Sequence, residues 1–292
     1  MTGDEERAMV NIMGRPLPEA GHTNIGIYSL IVLAMIFLSA PIAAAQEIRF
    51  QRGVPQEMLD GVFRFKYGTR TGTCFAIEVD KRQYIITARH LVEGIRDRDS
   101  VLMFLDQRWQ EVRVKTIFPR NPKTDIVALV SKRNVAPRME ISASGAAIPI
   151  GQELYFLGFP FGLSTQTDEP SPQLIPFINH AFLSAVDSRF GSGNVLYLDG
   201  HNNPGFSGGP VVSRGYGEKQ SLQIVGVLSA YRVQLSRETI TERTDARYGA
   251  TEKKSNRFVQ ENSGILVAYH ISEIIKAIRS NPTGLLMVTE TP

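Results

Sequence analysis

The chain has 292 residues, of which 42% are hydrophobic, with a net charge of +3 and a single cysteine, Cys74. That length and apolarity suffice for a substantial core. A charge so near balance gives no case for nucleic-acid binding without a basic patch or stacking aromatics, and a lone cysteine excludes an intramolecular disulfide. The sequence has no metal-ligand cluster and no internal repeat of fixed period, so no metal or other cofactor is expected.

The first 45 residues stand apart. From Ile27 to Ala45 the chain is almost wholly apolar and ends Ala43-Ala44-Ala45-Gln46, a small-residue cleavage pattern. The stretch before it carries Asp4, Glu5, Glu6 and Glu19 against Arg7 and Arg15, the reverse of a positive leader, and initiation at Met13 would remove three of those acids. Residues 1–45 are read as a signal peptide cleaved after Ala45. The alternative is an uncleaved membrane anchor, for which residues 27–45 are just long enough.

Beyond that segment, short runs rich in Val, Ile, Phe and Tyr alternate with turn residues. Thr73 to Val79, Val101 to Leu105, Glu153 to Gly158 and Leu222 to Leu228 are examples, and they predict an all-β protein. A first lobe is expected over residues 46–141. Small residues break the strand pattern over 142–148, the expected linker, and a second lobe follows over 149–292. Within it, residues 232–262 mix charges of both signs (Glu238, Glu242, Arg243, Lys253 and Lys254 among them), which predicts a solvated, mobile insertion, with a lid over a cleft as the sharper alternative. A final helix is expected over 271–279, where Ile271, Ile274, Ile275 and Ile278 share a face.

Three short motifs carry chemistry. In Gly205-Phe206-Ser207-Gly208-Gly209-Pro210 glycines frame a serine, and the amides of Gly205 and Ser207 can turn toward one point, as an oxyanion hole requires. A serine hydroxyl is a weak nucleophile until a base takes its proton. Tyr84-Ile85-Ile86-Thr87-Ala88-Arg89-His90 is an apolar strand running into a turn that ends on a histidine, and Asp125 stands at the mouth of the apolar run Ile126 to Val130. Asp97, Asp99 and Asp106 lead into no such run, and His22, His180, His201 and His270 lack the context of His90.

With His90, Asp125 and Ser207 in that order, the chain over roughly residues 58–280 resembles the trypsin-like, chymotrypsin-fold serine peptidases, and most closely the bacterial branch that includes the HtrA/Deg proteases. The resemblance implies two packed six-stranded antiparallel β-barrels with a C-terminal helix, His90 and Asp125 in the first and Ser207 in the second. It implies an exported serine endopeptidase, periplasmic or secreted, that acts on protein or peptide substrates with His90 as general base and Asp125 orienting it. Animal relatives usually carry several disulfides, so their absence points to a bacterial enzyme. Membrane association is expected only through residues 27–45, if these stay attached. A non-catalytic binding or scaffold protein that kept the fold is the alternative from another class.

The chain departs from the family in places. Phe206 stands where zymogens have an aspartate for the new N-terminus, so activation by trimming is not expected, and the residues beyond Ser207 are needed for the second barrel, so no PDZ domain is expected. The resemblance puts His201 at the base of the substrate pocket, with Ser229, Ala230 and Tyr231 on one wall. Without an acid at the base, with Leu228 where glutamate-specific relatives have histidine, and with Tyr231 narrowing the entrance, cleavage is expected after small or medium apolar residues. Ser229 matches the wall serine that commonly supports the catalytic aspartate.

Overall fold

The computed structural model describes residues 53–136, 143, 147–166, 174–189, 194–214, 222–243 and 252–287. From Val54 on they belong to one compact unit, Val54–Pro292, with Met1–Gly53 a separate unit. The expected signal peptide or anchor over 1–45 lies outside the described residues, as does most of the expected linker. Among the described residues no helix is long and apolar enough to cross a membrane.

A short helix α1 (Gln56–Asp60) leads into six strands: β1 (Val62–Tyr67), β2 (Arg70–Val79), β3 (Arg82–Thr87), β4 (Ser100–Leu105), β5 (Arg108–Ile117) and β6 (Val127–Ser131). They pair antiparallel in the order β3-β2-β1-β4-β5-β6, and pairing of β6 with β3 closes the ring. Local sequence sets the hairpins. Val79 pairs with Arg82 across Asp80-Lys81, and Leu105 with Arg108 across Asp106-Gln107. All four loop residues have positive φ, the two-residue turn whose twist matches that of the flanking strands. In β4 and β5 the alternation is plain, with Val101, Met103, Leu105, Val112 and Val114 buried and Glu111, Arg113 and Lys115 exposed.

The second barrel uses β7 (Glu153–Gly158), β10 (Phe177–Asp187), β11 (Val195–Gly200), β12 (Pro210–Arg214), β13 (Leu222–Arg243) and β14 (Glu252–His270). It closes in the order β10-β11-β14-β13-β12-β7, while β8 (Thr165–Gln166) and β9 (Leu174–Ile175) form a separate small hairpin. The two six-stranded antiparallel barrels bear out the double-barrel fold. Within the expected insertion over 232–262, the described residues continue two barrel strands. Beyond Tyr231, β13 and β14 run on as a two-stranded ribbon paired from Val233↔Asn262 to Arg243↔Glu252. Main-chain pairing holds it as a ribbon, which its mixed charges do not reveal.

Three buried clusters fill the unit. One lies inside the first barrel (Phe65, Ile85, Met103, Leu129), one inside the second (Leu154, Phe156, Leu198, Leu266), and the third joins them (Phe75, Ile77, Ile86, Leu157, Val212, Val227). Strand β6 is buried on both faces because Val127 and Leu129 point into the first barrel while Ala128 and Val130 point into the joint.

Helix α2 (Ser272–Ser280) packs Ile274, Ile275 and Ile278 into that joint cluster, with Ile271 beside them. Each such isoleucine, fully buried, contributes roughly 2 kcal/mol. The helix starts and ends one residue later than expected. Its placement differs too, for it sits against both barrels, and the following strand β15 (Leu285–Leu286) pairs with β3 of the first. The end of the chain therefore returns to the first lobe, a contact that local periodicity does not reveal.

Candidate active site

The site lies where three loops meet. His90 sits in a 3-10 turn (Arg89–Val92) directly after β3, and Asp125 directly before β6. Because β3 and β6 pair to close the first barrel, the two residues are brought together. The main-chain N–H of His90 donates to Oδ1 of Asp125 at 2.8 Å, and Nδ1 of His90 lies 2.6 Å from Oδ2. The carboxylate thus fixes both the backbone and the ring, and Nε2 is the imidazole nitrogen left without a partner among the described residues. Among the described residues no hydrogen bond joins it to Ser207.

The second barrel supplies a third bond to the same carboxylate. The Ser229 hydroxyl donates to Asp125 Oδ2 at 2.5 Å. The pairing of β13 with β14 shifts between Leu228 and Ala230, a bulge that falls on Ser229. Such a bulge re-aims a side chain, and here the re-aimed group is the hydroxyl that reaches Asp125. Tyr269, from β14, donates its phenol to Lys123 O at 3.0 Å and so ties down the loop that carries Asp125. Partial burial, and after it the charge of Asp125, hold the Tyr269 phenol above the ordinary tyrosine range.

The loop before β12 carries Ser207, which is half-buried. Gly205 and Gly208 have φ of +110° and +86°. A Cβ at Gly205 would stand 2.2 Å from Phe159 O, and one at Gly208 2.1 Å from Thr73 O, so glycine is required at both. Neighbouring groups of the loop are bonded: Phe206 N to Asn203 O, Gly208 N to Leu228 O and Gly209 N to Phe206 O. The amides of Gly205 and Ser207 donate to no group among the described residues. Phe206 is buried with its ring edge-on to Phe156, centroids 5.0 Å apart. An apolar anchor thus occupies the place where zymogens have an aspartate.

Thr73, on β2 of the first barrel and fully buried, holds this loop. Its N–H donates to Ser207 O at 2.9 Å and its hydroxyl to Gly205 O at 2.7 Å, while the hydroxyl accepts from Phe159 N at 3.2 Å. Nothing in the sequence around Thr73 marks it, since its partners lie 132 and 86 positions away. The adjacent Cys74 is buried, which pushes its thiol well up and keeps it protonated.

The expected pocket residues are distributed as follows. Ser229 is buried against Asp125, Ala230 is exposed, and Tyr231 is half-buried against the second-barrel core. His201 is exposed at the end of β11, and its carbonyl accepts from Asn179 Nδ2 at 2.9 Å. Strand β14 lies between β11 and the strand that bears Ser229 to Tyr231. Beside His201, Asn202 is buried, its carbonyl accepts from Asn262 Nδ2 at 2.6 Å, and its Oδ1 has no partner among the described residues. Arg89, Glu93, Ile95 and Phe118 help line an open groove of about 460 Å³ that includes His90 and Asp125.

A family model for the trypsin-like peptidase domain matches residues 72–219, a span that holds His90, Asp125 and Ser207. The chain belongs to the trypsin-like peptidases. Among solved structures, this trypsin-like peptidase is similar to the HtrA-type protease AlgW with a tripeptide, at 17% identity and a TM-score of 0.49 over 77% of this chain and 61% of that one. A variant of AlgW with a tripeptide matches to the same extent. An inactive mutant of Rv3671c from M. tuberculosis matches at 14% identity and a TM-score of 0.46, over 80% of this chain and 90% of that one. The peptidase thus spans less than two thirds of the AlgW chains. No curated protein matches.

Proposed function

We propose that this trypsin-like peptidase is an exported serine endopeptidase in which Ser207 attacks the scissile carbonyl, His90 takes and returns the proton, and Asp125 orients the imidazole. The observation that carries this reading is the Asp125 carboxylate. It receives His90 Nδ1 and N–H from the first barrel and the Ser229 hydroxyl from the second, so the imidazole is held with Nε2 free. A carboxylate so bonded keeps the imidazole in place and stabilises the imidazolium that forms as Ser207 loses its proton.

The remaining steps use main-chain amides of the Ser207 loop and the same imidazole. The amides of Gly205 and Ser207 receive the negative charge of the tetrahedral intermediate, and a preorganised pair of this kind costs little reorganisation as charge develops. Collapse of that intermediate expels the amine, which takes the proton back from His90, and leaves an acyl-enzyme on Ser207. Water, activated by the same imidazole, releases the acid. Apart from the attacking water, the protein supplies every catalytic group in this sequence. Substitution His90→Ala tests it: turnover of a peptide substrate falls by several orders of magnitude, with a residual rate above water from the oxyanion donors.

Export rests on the apolar run Ile27 to Ala45 and its Ala43-Ala44-Ala45 ending. Mass spectrometry of the mature protein is expected to find Gln46 as the first residue. A protein that begins upstream of Ile27 and sediments with membranes identifies the segment as an anchor instead.

A further inference from the structure

Strand β13 changes its neighbours at the catalytic loop. Over Leu222–Val227 one of its edges is paired with β12, and two bonds carry this contact one step further: Leu228 N to Gly209 O at 2.9 Å and Gly208 N to Leu228 O at 2.7 Å. At Ser207 the neighbouring chain turns away. From Ser229 to Arg243 that edge faces no strand among the described residues, while the opposite edge stays paired with β14 as far as Arg243↔Glu252. The open edge therefore begins beside the nucleophile, at the residue whose hydroxyl holds Asp125.

An unpaired edge is a row of main-chain donors and acceptors that fits another extended chain. Its direction here follows from β12, which runs antiparallel to β13. A polypeptide that takes β12's place and keeps its sense reaches Ser207 from the ribbon side. Residues on the N-terminal side of the cut bond then lie along Ala230 and Tyr231, the expected pocket wall, and continue along Val233 to Ser236.

The ribbon's exposed side chains favour that occupant. Val233 and Leu235, two apart on β13, are 49% and 66% exposed. Phe258 of β14, 68% exposed, falls on the same face, because its partner Arg237 follows Leu235 by two. Alternate apolar residues left bare on an edge strand mark a surface that pairs. The ribbon is also fastened to the site. At its root Ser263 Oγ donates to Arg232 O at 2.9 Å, and Asn262 Nδ2 to Asn202 O at 2.6 Å, two residues before Pro204 and the Ser207 loop.

We propose that the open edge of β13 beyond Tyr231 is an extended substrate-binding strand. It takes unfolded polypeptide by main-chain pairing, and apolar side chains at roughly the fifth and seventh residues before the cut bond pack against Val233 and Leu235. The proposal rests on Ser207 as the nucleophile. The substrate class is then extended chain, such as an unfolded segment or tail, since a folded loop offers no free strand of that length.

Two peptides that share one scissile sequence, with four or nine residues before the bond, test this on the full chain. The longer peptide is expected to show at least a tenfold higher kcat/KM, and the gain is expected to vanish when its fifth and seventh residues change from Leu to Asp. Substitutions Val233→Asp and Leu235→Asp together, or a shortened ribbon in which a Gly-Asn turn joins Gln234 to Glu261, bring the long-to-short ratio near one. Fluorophosphonate labelling of Ser207 in each protein reports whether the site is assembled, and the single Leu235→Asp variant serves where the shortened ribbon does not fold. A labelled wild-type protein with a ratio near one overturns the ribbon and leaves the peptidase reading standing. A wild-type protein that does not label overturns both. A gain that comes from residues after the cut bond, or a ribbon-mediated dimer that Leu235→Asp dissociates while the ratio stays near one, also overturns the proposal.

Discussion

Ser229 donates its hydroxyl to the carboxylate of Asp125 at 2.5 Å, and in doing so joins the second barrel to the acid of the first. The bond orients a carboxylate that already holds His90, so Ser229 positions the base without touching substrate atoms in the reaction. A hydrogen bond to a charged group contributes about 1.5–3 kcal/mol. Substitution Ser229→Ala is expected to lower kcat by roughly ten- to a hundredfold, with little change in KM, and Ser229→Thr to recover part of the loss if its methyl fits. Steady-state kinetics check this, and a pure rise in KM would place Ser229 in binding alone.

Thr73 holds the oxyanion loop from the first barrel through its N–H and its hydroxyl. Substitution Thr73→Val keeps the shape but leaves Phe159 N–H and Gly205 O without that partner, a cost of about 1–3 kcal/mol for each buried group left unpaired. The expected result is a lower melting temperature together with a fall in kcat, and Thr73→Ser restores both. A variant that loses stability but keeps full kcat would confine Thr73 to packing.

Tyr269 supplies a pH dependence whose sign follows from its environment. Its phenol is held above the ordinary range, by burial first and by the charge of Asp125 next. The folded state therefore keeps this proton more tightly than the unfolded state, and the stability it contributes is whole below the unfolded pKa of about 10 and falls as pH rises through and above it. Thermal melts between pH 8 and 11 are expected to fall more steeply at the alkaline end for the wild type than for Tyr269→Phe. Parallel curves contradict this.

Cleavage is expected after small or medium apolar residues such as Ala, Val or Leu, with broad tolerance, because one methylene in an apolar pocket alters selectivity by only about 1–3 kcal/mol. Tyr231 packs against the second-barrel core, so Tyr231→Gly is expected to admit larger side chains and also to lower the melting temperature. Profiling with a peptide library decides it. Dominant cleavage after Arg, Lys or Glu contradicts the reading and points to His201 or to the Oδ1 of Asn202, which has no partner among the described residues.

Much of this was legible in the residues. The barrels follow from short apolar runs such as Val101 to Leu105, a local signal, whereas the Asp80-Lys81 and Asp106-Gln107 turns emerged only in the structure. The Ser207 loop was legible because Gly205 and Gly208 meet backbone oxygens that admit no Cβ. Other features depend on pairing across long stretches of chain. The ribbon of residues 233–243 and 252–262 carries charges among Val233, Leu235 and Phe258, and composition alone reads it as an insertion, whereas main-chain bonds with no compositional mark make it a strand pair. The isoleucine face of α2 was visible, but its seat between two barrels was not, and Thr73 is silent because its partners are far away in sequence.

Labelling of the purified protein with a fluorophosphonate tests the central claim most directly. The account predicts one covalent adduct, mapped to Ser207 by peptide mass spectrometry, absent from Ser207→Ala and slowed by several orders of magnitude in His90→Ala. An adduct on another residue, or a well-folded wild-type protein that takes none, contradicts it.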